Sequence, residues 1–264
     1  MSDRLYNSFA QALLVRLYKL VASHINLSSG VCGRLYASAY LTYKHFQDHS
    51  SIQAAQKLVQ PGTLVIDVGA NIGFFSLAMH RVTDITILAF EPAPDNFRQL
   101  TAVLRTRDTT KRIHPFQLAV SDNNGTALLH LSDLAPTDHK LIPSRYSASV
   151  KIETVRLDDF LTQHPEFSSL PISLVKIDVQ GAELLVLRGM IRTLEINRRP
   201  PIMVEYAPAD LAHAGVSPSE FFAAFAAVGY HPHCVPHLHP CEPEWLIQNM
   251  RGAYTELVMI SSPE

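Results

Sequence analysis

A chain of 264 residues, 47% of them hydrophobic, is long enough to bury the core of one generous domain, and its 22 basic and 24 acidic side chains leave a charge of −2. No run of five like charges occurs, which excludes a basic nucleic-acid groove or an acidic tail, so nucleic acid is not an expected partner. Cys32, Cys234 and Cys241 are too few for a disulfide framework, which points to a reducing compartment, the cytoplasm.

Phe9 to Leu27 is apolar but interrupted by Arg16, Lys19 and His24. A bilayer span needs about 20 uninterrupted apolar residues, and no small-residue cleavage pattern follows, so neither a transmembrane segment nor a signal peptide is expected. The spacing of Phe9, Leu13, Leu17, Leu20 and Val21 predicts a helix with one apolar stripe. That stripe suits packing on the domain or on the N-terminal helices of a second copy, as in a homodimer; a membrane-surface helix is the alternative. Residues 1–50 therefore read as an N-terminal helical extension and 51–264 as a cofactor-binding α/β domain.

After Pro61 strand-like and helix-like segments alternate: strand Thr63 to Val68, helix Phe74 to Arg81, strand Ile85 to Phe90, helix Asp95 to Leu104, strand Ile113 to Val120. This order implies parallel pairing through right-handed crossovers. Thr126 to Leu131 and Ser149 to Val155 read as a β insertion, with a loose tip carrying Pro136 and Pro143. The alternation resumes with strand Leu174 to Val179, helix Ala182 to Thr193, strand Pro201 to Tyr206 and helix Pro218 to Val228, capped by Ser217. Two last strands are expected near His231 to Val235 and Glu256 to Ile260. The fold expected is a Rossmann-like doubly wound sheet of about seven strands.

Ligands of such sheets bind outside the carboxyl ends of the strands. Acidic and polar residues stand at those ends: Asp67 to Gly73, Glu91, Ala119 to Asp122, Asp178 to Glu183, and Glu205. The first turn, Asp67-Val-Gly69-Ala70-Asn71-Ile-Gly73, departs from a dinucleotide fingerprint, because Asn71 occupies the middle glycine that lets a pyrophosphate lie against the backbone. A ligand without phosphate fits better. Glu91 at the end of the second strand is placed to accept hydrogen bonds from ribose hydroxyls, and the arrangement is that of an S-adenosyl-L-methionine site.

The blocks Leu64-Val-Ile-Asp-Val-Gly-Ala-Asn-Ile-Gly-Phe-Phe-Ser-Leu77, Ala89-Phe-Glu-Pro-Ala-Pro-Asp-Asn-Phe97, Leu118-Ala-Val-Ser-Asp122, Val175-Lys-Ile-Asp-Val-Gln-Gly-Ala-Glu-Leu-Leu-Val-Leu-Arg-Gly189 and Pro201-Ile-Met-Val-Glu205 resemble the FkbM-type methyltransferases, over about residues 55 to 207. The resemblance implies a class I methyltransferase fold, in which the last strand is antiparallel, S-adenosyl-L-methionine as donor, and transfer to a hydroxyl of a small-molecule acceptor such as a sugar or polyketide. It also implies that Asp67, Gly69, Ala70, Asn71 and Gly73 form the loop beneath the methionine part of the cofactor and that Glu91 binds the ribose. Asn96 would line the adenosine pocket, and Ala119, Val120 and Asp122 the adenine-facing turn. Gln180 departs from the family, which often has glutamate there.

The expected chemistry is in-line displacement of a methyl group by an acceptor oxygen, helped by alignment and proton removal. Asp178 is the candidate base or orienting acid, with Lys176 on the same strand face and Glu205 completing the catalytic group. Helix capping by Asp178 is the bland alternative. A divalent metal held by Asp178 with Glu205 or Asp122 is a less favoured variant, and no metal is assigned. His231-Pro-His233-Cys234-Val-Pro-His237-Leu-His239-Pro-Cys241 collects six metal-ligating side chains. Its spacing matches no closed zinc pattern, and an irregular metal-free loop is expected. Trp245 and Tyr254 could stack on a sugar or aromatic acceptor, though packing in the core is the favoured expectation. The competing functions are an NAD(P)-dependent oxidoreductase, which Asn71 disfavours, and a catalytically silent interaction protein.

Overall fold

Every residue of strand β1 (Thr63–Val68) is buried, as a strand covered on both faces must be. The structure, a computed structural model, describes residues 48–82, 84–131, 148–250 and 253–262. The predicted helix at Phe9 to Leu27, the loop tip with Pro136 and Pro143, and Cys32 lie outside the described residues.

Strand β1 pairs in parallel with β2 (Ile85–Phe90) and β7 (Ile172–Ile177), and the parallel run continues to β3 (Ile113–Phe116) on one side and β8 (Ile202–Tyr206) on the other. Strand β11 (Thr255–Ser261) then lies antiparallel between β8 and β9 (Tyr230–Cys234), and β10 (His239–Pro240) folds back on β9. The resulting order, β10-β9-β11-β8-β7-β1-β2-β3, is mixed α/β with parallel strands and an antiparallel β11, as expected, plus one short edge strand. The order reverses between β1 and β7, which opens a crevice at their carboxyl ends.

Helices cover both faces. On one, α1 (His49–Leu58), α2 (Phe74–Met79) and α3 (Pro94–Arg107) bring Ile52, Ala55, Phe75 and Leu100 against Val65, Leu174, Met203 and Val258. On the other lie α4 (Leu157–Gln163), α5 (Pro165–Ser168), α6 (Glu183–Arg188), α7 (Ile191–Ile196), α8 (Pro208–His213), α9 (Pro218–Ala227) and α10 (Pro243–Asn249). They pack Phe160, Val186, Leu211, Phe221 and Leu246 on Ile66, Val175, Val204 and Leu257. Ser217 caps α9 through a reciprocal bond with Glu220, which supports the start predicted there. Among the described residues no helix is long and apolar enough to cross a membrane.

Four expectations are corrected. The strand predicted from Ile113 to Val120 breaks: β3 stays in the main sheet, while β4 (Ala119–Val120) joins β5 (Gly125–Leu131) and β6 (Ala148–Val155) in a separate three-stranded sheet. The helix predicted from Ala182 to Thr193 divides into α6 and α7 around Gly189, where a Cβ would stand 1.9 Å from the Ser121 carbonyl oxygen. Cys234 and Cys241 are joined in a disulfide across the β9–β10 hairpin, a regular element where an irregular loop was expected. A cysteine count cannot see that the turn brings the two together, and its support for a reducing compartment lapses. Trp245 and Tyr254 are 56% and 47% exposed rather than packed in the core.

Candidate active site

Strand β1 ends in a turn whose backbone is left-handed three times, at Gly69 (φ 85°), Asn71 (φ 51°) and Gly73 (φ 91°). Two glycines and an asparagine are the residue types that tolerate this. A Cβ on Gly69 would meet the Asp178 carbonyl oxygen at 1.9 Å, so the ends of β1 and β7 approach more closely there than any side chain allows. The Gly69 and Ala70 N–H groups donate to the Phe90 carbonyl at 3.0 and 2.9 Å, tying the turn to the end of β2. Gly69→Ala is expected to lower folding stability by about 3 kcal/mol, from the left-handed backbone plus the contact. Urea unfolding measures it, and a loss below about 1 kcal/mol would contradict the close approach.

Glu91 follows β2 and is only 5% exposed, so it is not a solvated turn acid. Its Oε2 accepts from the Asn71 N–H and its Oε1 from the Ala93 N–H, both at 2.8 Å, and the Asn96 side chain also hydrogen-bonds to it. Burial raises its pKa to about 7 despite those donors. Asp67, fully buried at the end of β1, accepts from the Ser76 hydroxyl in α2 at 2.6 Å. Burial raises its pKa as well, opposed by Lys176 and Ser76.

Register then builds a charged row. Lys176 lies beside Asp67 in the β1–β7 pairing and beside Met203 in the β7–β8 pairing. Asp178 and Glu205, each two residues further on, therefore point to the same face. Glu256 on β11 stands directly opposite Glu205. Lys176 Nζ donates to Asp178 Oδ2 at 2.8 Å and sits 5.4 Å from the centre of the Phe75 ring. Burial alone would lower the lysine's pKa, but Asp178, Glu256 and Asp67 together hold it raised. Glu256 is itself raised by burial, against the pull of Lys176. The amide of Gln180 donates to Glu205 Oε2 at 3.1 Å and reaches Asp178 Oδ1 at 3.5 Å. The Asp178 side chain remains 27% exposed, against 9% for Lys176, and Glu205 and Glu256 are also partly buried.

The remaining predicted residues border the same edge. Asn96, on α3, is buried beside Glu91. Ala119 and Val120 are buried in β4, and Asp122 is partly buried just beyond them. Gly189 closes on this turn at Ser121. Glu183 in the first turn of α6 accepts from the Gly181 N–H at 2.9 Å, and burial raises its pKa to about 7. Sequence reasoning missed Glu256; its signal is an acid opening an apolar strand whose next three residues, Leu257, Val258 and Met259, are all buried.

The model of the methyltransferase FkbM domain matches residues 67–232, from the buried aspartate of β1 into β9. The chain belongs to the FkbM methyltransferase family. Among similar proteins, methyltransferase sdnD of Sordaria araneosa is 33% identical, with 48% of this chain and 60% of that protein aligned. The hexuronic acid methyltransferase AglP of Haloferax volcanii is 30% identical, over 58% of this chain and 57% of its own. The 31-O-demethyl-FK506 methyltransferase FkbM of Streptomyces tacrolimicus is 29% identical, over 57% of this chain and 68% of its own. The chain thus spans about three-fifths of the length of sdnD and AglP. The FkbM match includes Asp67, Glu91, Asp122, Lys176, Asp178 and Glu205, and ends before Glu256.

Proposed function

We propose that this chain is an S-adenosyl-L-methionine-dependent methyltransferase acting on a hydroxyl oxygen of a small-molecule acceptor. The observation that carries the reading is Glu91: an enclosed carboxylate at the end of β2, aimed by the Asn71 and Ala93 amides. A carboxylate has about four lone-pair sites, and the two amides and Asn96 leave one for a ribose hydroxyl. The acid-rich edge formed by Asp67, Asp178, Glu205 and Glu256 around one Lys176 suits a cationic ligand. Bound S-adenosyl-L-methionine supplies a methyl group on positively charged sulfur, already activated for displacement. Asp67 and the turn from Gly69 through Ala70 and Asn71 to Gly73 would hold the methionine part, while Asn96, Ala119, Val120 and Asp122 would flank the adenosine.

Asp178 is the group we assign to the acceptor proton, as base or orienting acid. Its ion pair with Lys176 fixes the carboxylate, and Glu205, linked to it by Gln180, positions the acceptor side. Correct alignment in the crevice then supplies much of the rate. Oxygen as acceptor agrees with the name of the Streptomyces relative, and a small carbohydrate with that of the Haloferax one. Calorimetric titration with S-adenosylhomocysteine and with NAD tests the donor: tight binding of the first and none of the second is expected, and the reverse overturns the reading. A metabolite extract incubated with enzyme and S-adenosyl-L-methionine should yield a product heavier by one methyl group, which mass spectrometry detects.

A further inference from the structure

The β9–β10 hairpin carries a second set of reactive side chains, apart from the acid row. Cys234 closes β9, His239 opposite it opens β10, and Cys241 follows. Their ligand atoms, the two sulfurs and a ring nitrogen, lie within 4.8 Å of one another. The backbone beneath them is held by hydrogen bonds from Leu238 N–H to the Cys234 carbonyl and from Cys241 N–H to the Pro232 carbonyl, both 2.9 Å. The cysteine Cα atoms stand 5.9 Å apart, and the sulfurs are bonded as a disulfide. Tetrahedral zinc requires its sulfur ligands about 3.8 Å apart and each about 3.6 Å from an imidazole nitrogen. The ligand atoms already lie within 4.8 Å of one another, about an ångström from that spacing. Both cysteines are partly buried and His239 is exposed, so three ligands come from the hairpin and the fourth direction faces solvent.

We propose that the reduced hairpin is a zinc site, with Cys234, Cys241 and His239 as ligands and a fourth position open to water or a small ligand. Two thiolates and an imidazole favour zinc over the hard cations magnesium and calcium. A phosphine or dithiol reductant breaks the sulfur–sulfur bond with two electrons, and two protons from solvent or the dithiol complete the thiols. The phosphine leaves as its oxide, with oxygen from water, and a dithiol leaves as its own disulfide. Zinc binding then releases the two thiol protons as the thiolates form. Disulfide and metal are thus alternative locks on one hairpin. Cys234 is three strand spacings from β7, about 14 Å, through Leu257 and Val204. At that distance the metal would brace the β9–β10 hairpin without touching Lys176 or Asp178. The inference does not depend on the methyl-transfer reading.

The test uses the full chain, reduced with a phosphine, freed of reductant without air, and titrated with cobalt(II) as an optical stand-in for zinc. One cobalt per chain with thiolate-to-metal absorption, displaced by zinc, is expected. Cys234→Ser and Cys241→Ser should abolish the absorption, His239→Ala should weaken binding at least tenfold, and Cys32→Ser should leave it unchanged. Three results overturn the proposal. They are no thiolate–cobalt absorption by the reduced wild-type chain, absorption that survives replacement of both Cys234 and Cys241, and thiol titration that finds the two cysteines still joined after reduction. The wild-type titration decides the matter even where a variant fails to fold.

Discussion

Glu91→Gln weakens binding of S-adenosylhomocysteine about thirtyfold, the loss expected for one charge-assisted hydrogen bond of about 2 kcal/mol. Glutamine keeps the size of the side chain and one acceptor oxygen, but it turns an NH2 group toward one of the two amides that now donate to the carboxylate. An affinity changed less than threefold would refute the ribose role. The wild-type chain should also show a pH signature, because its carboxyl titrates at about 7 when buried without ligand. Binding that requires the carboxylate must first remove its proton below that pH. From pH 8 to pH 6 the dissociation constant should rise about tenfold for one such group, with nearly one proton released per ligand at pH 6. Calorimetry in buffers of different ionisation enthalpy counts that proton. Glu91→Gln should flatten the dependence, whereas Glu183→Gln should not, although Glu183 also titrates at about 7. The sign for stability follows from the same shift. A carboxyl with a folded pKa above its free value favours the native state fully below about 4.5, and that contribution is lost as pH rises through about 7.

Asp178→Asn should lower kcat about a thousandfold, within the range for loss of a positioned proton acceptor, while S-adenosylhomocysteine affinity stays within about threefold. The isosteric amide retains an oxygen for Lys176, which also keeps the charges of Asp67 and Glu256 nearby. Stopped-time assays with the methyl acceptor, once found by mass gain, give kcat and KM separately. A kcat within tenfold of wild type would remove Asp178 from the reaction, and an equal loss in donor affinity would make it a binding residue instead.

The strand ends that frame this crevice were legible because apolar runs stop there at acids and glycines, and a period of two tells which residues share a face. That reasoning put Lys176 and Asp178 on one face, where their side chains meet at 2.8 Å. It failed where a distant backbone decides the local outcome. Nothing near Gly189 announces that the Ser121 carbonyl will end one helix and begin another. Leu118 and Ala119 read as one strand with Ile113, yet β6 captures Ala119 and Val120 into a second sheet. Glu256 escaped notice because its neighbour in space, Glu205, is 51 residues earlier in the chain (256 − 205 = 51). The disulfide was hidden by counting cysteines rather than following the turn between them.

The contact between Gly69 and the Asp178 carbonyl has a consequence for how such a protein diversifies. The turn from Asp67 to Gly73 and the Asp178 segment share one backbone junction with no slack, so neither can be redrawn without the other. On the methyl-transfer reading proposed above, variation in the acceptor is expected on the far flank, at surface positions such as Trp245 and Tyr254, which are 56% and 47% exposed. On that reading, an engineer seeking a new acceptor would start from those two exposed side chains and leave residues 67–73 untouched.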